Sequence, residues 1–188
     1  DSIKHVSSHM SSVREVLPGR PYFLPHTQEK LDPFTVTEEE FLNTVCKKPC
    51  NISKGIYSTL TGLSPLIAEE ICYRASIDGN DPAQSLSETA AIHLYHTFRR
   101  LMEQVQEGDF TPNIIYRNEE PVEYAVLPLT QFGSEYHSVT FESVSSMLET
   151  YYASKEILTR IRQKSSDLRR IVQTALERNR KKLILQQK

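Results

Sequence analysis

Two groups of residues in this chain have the types and spacing to do chemistry, and both suit a polyanion. The first is Gly62-Leu63-Ser64-Pro65, followed by Ala68 and Ile71 at helical steps. Glycine permits a tight turn at positive φ. Ser64 can cap the next helix, and Pro65 can occupy its first turn, where a missing N–H does no harm. A helix that starts this way aims unpaired backbone N–H groups and the positive end of its dipole at a phosphate. Ala68 leaves room for two helices to cross closely, and Lys54 on the preceding helix is expected within reach of the same anion. The second group is Arg160, Arg162, Lys164, Arg169 and Arg170, continued by Arg178, Arg180, Lys181 and Lys182. Cations along a helix suit RNA phosphates, and such binding would weaken with salt. Each group also has a plain structural account: a bare corner between two helices for the first, a solvated coiled-coil face for the second.

Other chemistries find little material. Cys46, Cys50 and Cys72 are odd in number, and none forms the CxxC pair that zinc sites favour. They are expected to be structural and reduced, which points to the cytoplasm. His93 and His96 have HxxH spacing, but no acid completes a ligand set, so they are expected at the surface or in packing. Glu38-Glu39-Glu40 and Glu69-Glu70 are expected as solvated helix charges. No Ser-His-Asp or Cys-His arrangement stands out, and the phosphate-loop and dinucleotide glycine patterns are absent. The expectation is therefore no enzyme, no metal and no cofactor.

The elements that must hold these residues follow from local signals. Thr37 and Glu40 make a capping box that predicts a helix to about Lys47, stopping before Pro49. A short helix is predicted from Ser53 to Leu60, and another from Pro65 to Ala75. Together with the Gly62 turn these two form a helix-hairpin-helix pattern. Ser85-Leu86-Ser87-Glu88 predicts a second capping box and a longer helix, with Ala91, Leu94, Tyr95, Phe98, Leu101, Met102 and Val105 on its buried face and Gly108 as its cap. Residues 112–117 and 122–127 flank Asn118-Glu119-Glu120-Pro121 as a hairpin, and residues 139–141 could add a third strand. From Ser143 the pattern is helical to the end. Val144, Met147, Leu148 and Tyr151 should face a core, and Ile157, Ile161, Leu168, Ile171 and Leu176 form a thin apolar stripe.

The fold expected is mainly α with a small β element. Residues 1–35 read as the extended end of a truncated N-terminal domain, with a strand end at 3–6 and three prolines within residues 18–25. Residues 36–110 read as the helix-hairpin-helix domain, 111–141 as a small β segment, and 142–188 as a long basic helix, the first arm of a truncated coiled coil. Composition supports a globular chain, at 38% apolar and 24% charged residues. No apolar run approaches the roughly 20 residues needed to span a bilayer, and the start lacks the pattern of a signal peptide. Net charge is −2 but lopsided. Residues 155–188 hold eleven Lys and Arg against three Asp and Glu, which leaves the first 154 residues with eleven against twenty-one. The basic end is where a polyanion would bind.

Three stretches, in order, resemble one known family. Asp1-Ser2-Ile3-Lys4-His5-Val6, then Arg14-Glu15-x-Leu17-Pro18-Gly19-x-Pro21-Tyr22, then Pro25-x-x-Gln28-x-Lys30-x-Asp32-Pro33 are similar to the close of the NFACT N-terminal domain. Gly62-Leu63-Ser64-Pro65-x-x-Ala68-Glu69-Glu70-Ile71-x-Tyr73-Arg74-Ala75 looks like that family's helix-hairpin-helix. Phe141-Glu142-Ser143-Val144-Ser145-x-Met147-Leu148-x-x-Tyr151-Tyr152, with Gln163-Lys164-Ser165-x-Asp167-Leu168 and Glu177-Arg178 beyond it, looks like the start of its coiled coil. The resemblance implies a ribosome quality-control factor. Such a factor binds the large ribosomal subunit with stalled peptidyl-tRNA and recruits alanine tRNA to tail the nascent chain. With the residue readings above, the expected RNA contacts are Lys54, Gly62, Leu63 and Ser64 at the turn and Arg160, Arg162, Lys164, Arg169 and Arg170 on the stem. The resemblance also places the family's Asp-Arg motif upstream of Asp1. The alternative it carries is a fibronectin-binding adhesin of a Gram-positive cell surface, exposed without a signal peptide. No membrane partner is expected, and self-association through Ile157, Ile161 and Leu168 is a further expectation.

Overall fold

The computed structural model describes residues 30–186 together with residues 9 and 17–19. Most of the expected extended arm, including the strand end at 3–6, lies outside the described residues. The rest is mainly helical, with a three-stranded antiparallel sheet and a long final helix.

Local chemistry sets the helix starts. Helix α1 spans Glu38–Thr44, and its capping box is complete: the Thr37 hydroxyl accepts from the Glu40 N–H at 3.3 Å, and the Glu40 carboxylate accepts from the Thr37 N–H at 2.9 Å. Helix α2 spans Ile52–Thr59 with Asn51 as its cap, and α3 spans Pro65–Arg74 with Ser64 as its cap. Helix α4 runs Glu88–Glu107 and ends at Gly108 in the left-handed region, as predicted. Its cap is Ser87 alone. Ser85 lies instead in a 3-10 turn, Ala83–Ser85, where its hydroxyl donates to the Pro82 carbonyl at 2.7 Å.

The four helices close over one core. Phe41, Ile52, Ile56, Leu60, Ala68, Ile71, Leu94 and Phe98 are all fully buried. Each large apolar side chain here contributes about 1.5–3 kcal/mol by leaving water. Phe41 and Phe98 stack at 5.2 Å between ring centroids, which binds α1 to α4. Glycine at position 55 lets α2 approach the end of α1, since a Cβ there would stand 2.9 Å from the Val45 carbonyl oxygen.

Strands β1 (Asn113–Arg117) and β2 (Glu120–Ala125) form the expected hairpin, on a tighter turn than predicted. Asn118 and Glu119 both have positive φ, 48° and 64°, which makes a two-residue turn of the kind that suits strand twist. Pro121 falls inside β2, at a register irregularity, and is tolerated because β2 is an edge strand. Strand β3 (His137–Thr140) pairs with β1 on its other side, so the sheet order is β2-β1-β3.

Helix α5, Val144–Gln186, has 43 residues and is about 65 Å long. Its first turns rest on the sheet: Met147 is buried, and the Tyr151 hydroxyl donates to the Val122 carbonyl at 3.1 Å. Val144, expected to face the core, is exposed. Beyond these turns Ile157, Ile161, Leu168, Ile171 and Leu176 are each more than half exposed. No described helix is long and apolar enough to cross a membrane.

Candidate nucleic-acid interface

The turn between α2 and α3 has the conformation its glycine suggested. Gly62 has φ +78° and open space around it. The Ser64 hydroxyl accepts from the Ile67 N–H at 3.3 Å, and the Ser64 carbonyl accepts from the Ala68 N–H at 3.0 Å. Pro65 has no N–H, so the first turn of α3 offers the Leu66 N–H, which meets no acceptor among the described residues. Gly62, Ser64 and Pro65 are exposed, and Leu63 is half-buried against the core. The turn is open to a ligand.

Lys54 does not join it. This lysine is in the first turn of α2, whereas the Gly62 turn follows the last. The rise of 1.5 Å per residue puts about 9 Å along the helix axis between Lys54 and Leu60. Two lysines that the spacing did not single out lie nearer. The Lys30 ammonium donates to the Tyr57 carbonyl at 2.9 Å, and the Lys48 ammonium donates to the Ser58 hydroxyl at 3.0 Å. Both offset the negative end of α2. Their placement depends on chain packing 27 and 10 residues away, so no local signal could have shown it.

The stem cations are all on exposed turns of α5. At 3.6 residues per turn, Arg160 and Lys164 share one side, Arg162 and Arg169 the opposite one, and Arg170 lies between. Positive charge therefore surrounds the stem, and Lys164 falls on the apolar stripe. Arg160 pairs with Glu156 at 2.6 Å, Arg162 with Glu120 at 2.8 Å and Arg170 with Asp167 at 3.8 Å. Exposed pairs of this kind contribute at most about 1 kcal/mol, so a phosphate can take the place of the carboxylate at little cost. Lys164 and Arg169 form no ion pair among the described residues.

One acid departs from its expected role. Glu70, expected as a solvated helix charge, is completely buried, while its neighbour Glu69 is exposed. The Glu70 carboxylate accepts from the Thr130 N–H at 2.9 Å, the Thr130 hydroxyl at 2.7 Å, the Gln131 N–H at 3.0 Å and Arg74 Nε at 2.7 Å. Arg74 Nη2 also donates to the Pro128 carbonyl at 2.6 Å. One helical turn of α3 thus fastens the chain that leaves β2. Asn113 works from the other side: it is buried, and its amide donates to the Thr111 and Leu127 carbonyls at 2.8 Å each.

Burial pushes the Cys46 thiol up to about 11. Burial, then the charges of Glu69 and Asp78, pushes Cys72 up to about 12. Both thiols stay protonated and unreactive. His93 and His96 are exposed, with His96 Nε2 at 3.7 Å from a Glu38 carboxylate oxygen. No group of three or more metal-ligating side chains gathers among the described residues.

Known proteins are similar to this chain. A family model described as "NFACT N-terminal and middle domains" matches residues 1–188. The "Rqc2 homolog RqcH" of Bacillus subtilis (strain 168) is 31% identical over 183 residues, covering 97% of this chain and 30% of that protein. The protein of the same name from Streptococcus suis is 29% identical over 187 residues, covering 100% of this chain and 29% of that protein. The chain thus spans about 30% of the length of these curated relatives. A solved structure titled "The crystal structure of the fibrinogen binding protein from Staphylococcus aureus" superposes with a TM-score of 0.58 at 27% identity, over 79% of this chain and 49% of that one.

Proposed function

This chain belongs to the NFACT family, and from that membership we propose that it is an RNA-binding section of a ribosome-associated quality-control factor. Its partners in this proposal are the large ribosomal subunit carrying stalled peptidyl-tRNA, and alanine tRNA recruited for tailing the nascent chain. The setting is the cytoplasm. This section binds and positions; it carries no catalytic step. The observation that supports the reading most is the stem: eleven cations against three acids over residues 155–188, with Arg160, Arg162, Lys164, Arg169 and Arg170 all exposed. The open Gly62–Ser64 turn adds a second point of contact for phosphate.

Gel shifts with tRNA at 50 and 200 mM salt test it. If the stem contacts six or more phosphates, affinity falls by about a thousandfold or more between those conditions. Replacing Arg160, Arg162, Lys164, Arg169 and Arg170 with Gln would lower the salt slope by about 3.5 to 4.5. Absence of binding by the parent chain at low salt would refute the proposal, and an unchanged slope in the variant would refute the stem's role.

A second reading, attachment to a host matrix protein such as fibronectin, draws on the Staphylococcus aureus structure whose title names fibrinogen binding. Surface labelling of intact cells beside a cytosolic control, with binding assays on immobilised fibronectin and fibrinogen, separates the two readings.

A further inference from the structure

We propose that the pocket between α3 and α4 lined by Arg74, Thr97, Arg100, Leu101 and Gln104 binds one phosphate group, supplied by an RNA backbone. The RNA source rests on the function proposed above; the phosphate chemistry stands on the pocket alone. The cavity has a volume of about 310 Å³, ample for a phosphate and its adjoining sugar edge.

The lining chemistry favours an anion. Two arginines, a threonine and a glutamine line one space, and no acidic residue lines it. Arginine is the side chain best shaped for phosphate, because its planar fork donates in parallel. Arg74 is held in place: Nε is fixed on Glu70 and Nη2 on the Pro128 carbonyl. Those two bonds use two of its five N–H groups and leave three to donate. Arg100 is drawn toward the pocket by the buried Thr97, whose hydroxyl accepts from Arg100 Nη2 at 3.4 Å and donates to the His93 carbonyl at 2.9 Å. Arg100 meets no carboxylate within ion-pair distance among the described residues. Gln104 is held by Asp109 at 3.3 Å.

The framework is rigid as well as positive. Both walls are helices packed through Ile71, Leu94 and Leu101, all buried. Donors fixed before binding lose little entropy on binding. Glu70 offsets the charge of Arg74, so the charge left uncompensated at the pocket among the described residues is that of Arg100. An anion in the pocket would compensate that charge.

The first arm of the test uses inorganic orthophosphate. It is titrated into the 188-residue chain, with the arginine Nε–H and backbone N–H signals followed by NMR against chloride at equal ionic strength. A saturable shift at Arg74, Thr97 and Arg100 is expected, lost in Arg100→Gln. That variant changes an exposed side chain and leaves the Glu70–Arg74 contact intact. No saturable shift, or the same shift in Arg100→Gln, overturns the proposal. The second arm uses tRNA. Arg100→Gln should reduce the salt slope by about 0.7 to 0.9 and weaken binding severalfold, also in the background of the five stem substitutions. Orthophosphate binding with an unchanged tRNA slope overturns the RNA source. A parent chain that binds orthophosphate but not tRNA upholds the pocket and overturns the proposed function.

Discussion

Replacing Glu70 with Ala should be among the most damaging single changes in the helical body. The side chain is completely buried, and its loss strands the Thr130 and Gln131 N–H groups, the Thr130 hydroxyl and Arg74 Nε. Bonds to a charged acceptor contribute about 1.5–3 kcal/mol each when isolated. Removing one partner of a buried pair costs about 3–5 kcal/mol overall, because the remaining charge is left uncompensated. Arg74 keeps partial access to water, at 26% side-chain exposure, which places the expected loss at about 3–4 kcal/mol. At roughly 2–4 °C per kcal/mol for a chain of this size, the melting temperature should fall by about 6–16 °C. Glu69→Ala, one residue away but exposed, should stay within about 0.5 kcal/mol. Urea unfolding of the two variants measures the contrast, and hydrogen exchange locates it, since the Thr130 and Gln131 amides should lose protection in Glu70→Ala alone. A pair of variants with equal stability would refute the claim that this carboxylate fastens the β segment to α3.

Further outcomes follow from the same contacts. Gly62→Ala should cost about 1–2 kcal/mol from left-handed backbone strain alone, because no side chain crowds the site; Gly62→Asn should cost less, and thermal melts order the three. Gly55→Ala should destabilise by about 1–3 kcal/mol for a different reason, overpacking against the Val45 carbonyl, with its unfolding midpoint as the measure. A thiol reagent at pH 8 should titrate at most Cys50 quickly in the folded chain, with Cys46 and Cys72 appearing only on unfolding, since burial holds both protonated. For Cys72 the folded chain grips the proton more tightly than the unfolded one, so its contribution to stability is whole below pH 9 and declines as pH rises toward 12. Denaturant midpoints between pH 8 and 11, compared with Cys72→Ala, would detect the decline.

Much of the fold was legible because its signals are local. The Thr37–Glu40 box, the Ser64 cap before Pro65, the left-handed Gly108 and the 113–125 hairpin each close within a few residues. The open Gly62 turn and the cation-rich stem were legible for the same reason: backbone conformation and exposure there need no distant partner. The second capping box was misplaced by two residues because Ala83–Ser85 form a 3-10 turn of their own, so α4 begins only after Ser87. Val144 carried a core expectation that the sheet, reaching only the Met147 side, does not meet.

By itself, then, the sequence determined where helices start and stop, where the chain turns and where its positive charge collects. Only tertiary structure decided that Glu70 is buried while Glu69 is solvated, that Arg74 and Arg100 line one pocket, and that Lys30 and Lys48, not Lys54, cover the far end of α2. Those outcomes depend on donors up to 61 residues away. A carboxylate's identity cannot disclose whether distant N–H groups will arrive to replace its water.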